Sequence, residues 1–176
     1  MSRFLISSLL FLLLALFEFA FVHSLPKPFL YLPLVFACGV YLFQYLGSFI
    51  GIWWLCGLGF FLDLWHLGLM PCETAVYIIA AIIMVFLGRR IFTNRSLYGV
   101  ICNAVLPMLF IQSIHAIWWF YNSLNDSLPF PWLVFFTYVF WQIFLLVLSV
   151  FFLFILTKKI HSILKDLLIM PSRENL

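Results

Sequence analysis

Charge is what this chain has least of. Only 9% of its 176 residues are Asp, Glu, Lys or Arg, against 66% apolar, and mean hydropathy is +1.19. That excludes an ordinary soluble domain, whose surface needs about a quarter of its residues charged. Metal and phosphate signatures are missing too. The four cysteines, Cys38, Cys56, Cys72 and Cys102, are widely spaced, form no CxxC and have no matching His pattern. They support neither a disulfide framework nor a metal site and read as small apolar packing residues. There is no HExxH, no Gly-rich phosphate loop, no GxSxG and no pair of carboxylates close in sequence. No catalytic residue, cofactor or nucleic-acid partner is expected.

What is present is apolar length. The stretches between charged or Pro-marked breaks are mostly long enough, at about 17–25 residues, to cross a bilayer as helices. The expected fold is all-α, one polytopic membrane bundle of about six spans over 1–176: 4–22, 29–45, 49–67, 74–88, 97–121 and 130–157. Phe occurs 23 times and Trp seven, which suits lipid-facing and interfacial surfaces. Small residues are left for helix contacts, with Gly47 and Gly51 forming a GxxxG pair. A second reading takes 2–24 as a signal peptide cleaved after Ser24; the length of the apolar run, and Glu18 within it, favour a retained span. Asn125-Asp126-Ser127 is a glycosylation sequon, meaningful only in a eukaryotic secretory pathway.

Charge placement sets the expected orientation. With six spans, Arg3, Arg89, Arg90, Arg95, Lys158, Lys159, Lys165 and Arg173 fall on one side and only Lys27 on the other, eight against one. The positive-inside rule then makes both termini cytoplasmic, whereas an odd number of spans divides these groups. In the tail, 158–171, Ile160, Ile163, Leu164, Leu167 and Leu168 oppose Lys158, Lys159, His161, Lys165 and Asp166. That pattern reads as an amphipathic helix on the cytoplasmic leaflet, in preference to a simple continuation of the last span.

Polar groups within hydrocarbon are the site candidates. Cys56, Gly59, Asp63 and His66 follow one another at spacings of 3, 4 and 3, one face of a helix. Such a stripe is either a ligand or proton site, with Asp63 and His66 bonded to each other, or a packing seam. The seam is the weightier reading, and an Asn at 63 is expected to keep the hydrogen bonds. Glu18 is expected to snorkel or to face the bundle. Asn103, Gln112 and His115 lie on a span broken by Pro107, which serves as a packing device in preference to a cavity wall. Trp118, Trp119 and Tyr121 read as interfacial anchors, and Glu73 falls in a short loop with Gly68 and Pro71.

The run Gly57-Leu58-Gly59-Phe60-Phe61-Leu62-Asp63, a short loop, an apolar helix ending in Arg89-Arg90, and Ile91-Phe92-Thr93-Asn94-Arg95-Ser96-Leu97-Tyr98 together resemble the rod-shape-determining MreD family. The match covers 57–98. It departs from the family pattern at Leu69-Met70-Pro71-Cys72, where a small, Gly-containing turn is usual. The resemblance implies a fold similar to the substrate-binding subunits of energy-coupling-factor transporters. It also implies a non-enzymatic scaffold of cell-wall elongation, partnered by a bitopic MreC-like protein and a peptidoglycan synthase complex, with the MreB filament nearby. The alternative is a vitamin-type substrate-binding subunit of a transporter, with an outer pocket where Glu18, Asp63 and His66 meet His115 and Trp118. Its docking motif of small residues is limited to Ala80-Ala81. A lipid-handling enzyme is the third and least supported reading.

Overall fold

The computed structural model describes residues 2–65, 72–93, 96–125 and 130–167. Its regular structure among these is helical throughout: α1 Ser2–Ala20, α2 Leu34–Gln44, α3 Ile50–Trp65, α4 Glu73–Arg90, α5 Leu97–Asn125 and α6 Trp132–Leu167, with 3-10 turns at Val22–Ser24 and Phe29–Tyr31. Three stretches are long and apolar enough to cross a membrane: Leu5–Ser24, Leu97–Asn125 and Trp132–Thr157. Helices α2 and α3 are apolar but shorter, and α4 carries Glu73, Arg89 and Arg90 at its ends.

The second expected span is divided. Pro33 stands at the N-cap of α2, and the preceding turn covers Phe29–Tyr31, so 29–45 contains a helix of only 11 residues. Proline lacks the N–H that would join the two pieces. The last helix runs past its apolar span, which ends at Thr157 as expected. Helix α6 passes through 157 and ends at Leu167, so the backbone of 158–167 continues it directly. The rest of the tail, and the side chains of Lys158 and Lys159, lie outside the described residues.

Helix α2 is the interior element. Eight of its eleven residues are buried, and it packs on α1, α3, α5 and α6. Gly39 of α2 and Gly51 of α3 let their backbones meet: a Cβ on Gly51 would run into the Gly39 carbonyl and come within 2.8 Å of the Phe43 nitrogen. The expected GxxxG pair therefore splits in function. Gly51 makes the helix contact, through Gly39, while Gly47 lies before α3 and takes the left-handed φ of 68° in the α2–α3 link. Around this centre Val35, Phe36, Val40, Leu55, Met84, Val100, Met108, Ile111 and Leu146 form the core. The outward faces of α1 and α6 expose Leu9, Leu13, Phe140 and Phe152. An apolar surface of this extent suits lipid, since soluble monomers expose apolar patches of only a few hundred Å².

Candidate functional site

Three polar clusters join separate helices of this bundle. The first is the Asp63 seam. One Asp63 carboxylate oxygen accepts the Glu73 N–H at 2.7 Å; the other accepts the Thr74 N–H at 2.8 Å and the Thr74 hydroxyl. The carboxylate thus caps the start of α4 from the end of α3, where free N–H groups and the helix dipole favour a negative charge. Gly59, one turn earlier, allows the close approach: a Cβ there would lie 2.7 Å from Tyr77 Cβ and 3.0 Å from Thr74 Cα. Cys56 is half-buried and packs against the core on the same helix. Gly59 and Asp63 thus form a seam between α3 and α4. His66 lies outside the described residues. Because both oxygens of Asp63 accept, an Asn could serve only one of the two N–H groups, which revises the expectation that it would keep them all.

The second cluster sits at the Arg89–Arg90 end of α4. Asn103 Nδ2 of α5 donates to Gln44 Oε1 of α2 at 2.9 Å, and Gln44 Nε2 donates to the Phe92 carbonyl. Gly88 faces both amides. Asn103 is fully buried and pins three segments together. Arg89 and Arg90 are exposed, with the Arg89 guanidinium 5.1 Å from the Phe49 ring centroid. Arg95 lies outside the described residues.

The third cluster, at the opposite end, surrounds a cavity of about 430 Å³. Glu18, on the last turn of α1, is buried and accepts the Val35 N–H at 2.6 Å, capping α2 where Pro33 leaves the helix start open. It faces the bundle, one of the two expected placements. Glu73, only 3% exposed, lies beside His115, whose Nε2 is 3.1 Å and 3.2 Å from its two carboxylate oxygens. Gln112 Nε2 donates to Gln142 Oε1 across the α5–α6 contact. The Gln112 Oε1 is buried and without a hydrogen-bond partner, and the Tyr138 phenol stands beside both amides. Aromatic side chains complete the wall: Phe19, Tyr31, Phe36, Tyr77, Trp119 and Phe135, with the Tyr31 ring edge-on to Tyr138 at 5.0 Å.

Of the sequence candidates, Gln112 and His115 line the cavity, while Cys56, Gly59, Asp63 and Asn103 do not. Trp119 lines it in place of Trp118. Glu73 is the residue that the sequence reading placed elsewhere. It opens α4 and is buried, where a loop position was expected. Its helix-start position, an acidic residue followed by an apolar run, was visible; its partner 42 residues away was not. Gln44, Tyr138 and Gln142 gave no signal beyond polarity within apolar runs.

Among the described residues, the cavity lining contains no Ser, Thr or Cys to act as a nucleophile beside the Glu73–His115 pair. Among the described residues, no three His, Cys, Asp or Glu gather as a metal site. No family model, curated protein or solved structure matches this chain.

Proposed function

We propose that this chain is a non-enzymatic, six-span subunit of the bacterial inner membrane, a scaffold in the cell-wall elongation machinery that binds an MreC-like bitopic protein through its helix surface. The observation that carries the scaffold reading is the use made of the carboxylates within the bundle. Glu18 caps α2, Asp63 caps α4, and Glu73 is paired with His115 of α5. Each holds one segment to another. The link to cell-wall elongation comes from the 57–98 resemblance, within which Gly59 and Asp63 have definite work at the α3–α4 seam. The apolar outer faces of α1 and α6 offer the helix surface that such a partner needs.

Transport is the second reading, favoured by one observation, the polar cavity at the end away from Arg89 and Arg90. Purification of the full chain from its native membrane, followed by identification of what accompanies it, separates the two. Recovery of an MreC-like protein supports the scaffold. Recovery of a paired ATPase module with a vitamin-sized ligand overturns it in favour of transport.

A further inference from the structure

We propose that the cavity between α1, α4, α5 and α6 is a binding site for a small organic ammonium group. The site goes beyond the scaffold reading and does not depend on it. At about 430 Å³ the space falls within the range of small-ligand pockets. Among the described residues, its wall contains two carboxylates, Glu18 and Glu73, two imidazoles, His23 and His115, and no Lys or Arg. With both carboxylates ionised and both imidazoles neutral, the lining carries −2, and each imidazole that takes a proton removes one negative charge. Of these groups an anion meets only the imidazoles; His115 is already held by Glu73, and His23 Nδ1 lies 3.0 Å from the Glu18 backbone oxygen.

Two further features select for a cation that donates hydrogen bonds. Gln112 is 3% exposed, and its Oε1 lacks a partner although it lines the cavity. A buried acceptor left open is unfavourable, and a donor brought in by a ligand removes that cost. The aromatic wall supplies the second feature. Tyr31, Trp119, Phe135 and Tyr138 surround the space, and ring faces attract an ammonium within about 6 Å of their centroids. Carboxylate, amide oxygen and ring faces are together the chemistry of amine recognition. The ammonium could come from a soluble amine or from an ethanolamine lipid headgroup.

The test uses the full chain in phosphatidylglycerol nanodiscs, titrated calorimetrically with phenethylammonium, neutral phenethyl alcohol and anionic phenylacetate, against empty discs. Saturable binding of the ammonium alone is expected, at least tenfold weaker in Gln112→Leu and in Trp119→Leu. Trp119 is 42% exposed, so its replacement keeps the test readable should the buried variant misfold. Loss of phenethylammonium binding in phosphatidylethanolamine discs, with binding retained in phosphatidylglycerol, identifies the lipid amine as a competing occupant and supports the site. Retention in both disc types makes a soluble amine the ligand. Equal binding of all three compounds, no binding of any, or unchanged ammonium binding in a folded variant overturns the proposal. None of these results bears on recovery of an MreC-like partner, which tests the scaffold reading separately.

Discussion

His115 on α5 places its Nε2 almost equidistant from the two carboxylate oxygens of Glu73 on α4, 3.1 Å and 3.2 Å. One N–H thus serves a buried carboxylate that opens a helix, and ties two elements whose sequence positions differ by 42. Removing one partner from such a pair is worse than removing both, because the survivor stays buried without compensation. His115→Leu is expected to destabilise the protein by about 3 kcal/mol. Adding Glu73→Gln to it should recover part of that loss. Thermal unfolding of the two single variants and the double in detergent checks this. Additive losses would show that the pair is not coupled.

Asp63 gives a graded series. Wild type serves both α4 N–H groups, Asn serves one and Leu neither. Loss of a helix cap costs about 0.5–2 kcal/mol. The melting temperature should fall stepwise from Asp to Asn to Leu. Equal values for Asp and Asn would mean that one N–H is held by something else.

Gly51 and Gly57 lie on one helix and should respond differently. A Cβ at 51 meets the backbone of α2, whereas a Cβ at 57 meets the Phe11 ring at 3.0 Å, a side chain able to turn aside. Gly51→Ala is expected to cost about 1–3 kcal/mol as overpacking against an unyielding neighbour, and Gly57→Ala much less. Detergent-solubilised yield and melting temperature together report the difference.

Orientation has a direct chemical test. In a chain retaining Cys72 alone, an impermeant maleimide added outside intact cells should label it. Position 72 is exposed and lies at the end of α4 opposite Arg89 and Arg90. A lone cysteine introduced at position 94 should stay unlabelled until the cells are opened. External labelling at 94 would falsify the six-span arrangement with cytoplasmic termini.

The helical class and the approximate places of the helices were legible, because long apolar runs permit little else. The Asp63 seam was legible from spacing alone. Its acceptance of two N–H groups was not, because the cap lies across a loop. The cavity was only partly legible. Gln112 and His115 stood out as polar groups within an apolar span, but Glu73 looked like a loop residue, and nothing in sequence joins it to His115. The division of the second span was masked by its composition: 29–45 is apolar throughout, and only Pro33 records the break. Side-chain pairs across helices depend on rotation and depth, which apolar helices leave almost unmarked.

The shortness of α2 has an electrical consequence. Eleven residues rise about 16 Å, roughly half of a hydrocarbon core about 30 Å thick. The helix begins at Leu34, and Pro33 and Phe36 at its start line the cavity. In a bilayer, water filling that space would carry the solution on that side inward and leave the low-dielectric barrier thinner there than in the surrounding lipid. The membrane potential would then drop across the remaining part of the bundle, the part held by Gln44, Asn103 and Phe92. A full charge crossing that layer exchanges about 2.3 kcal/mol per 100 mV with the field. Neutral amides in the focused region and carboxylates at its outer edge are the distribution that leaves the resting fold least sensitive to voltage.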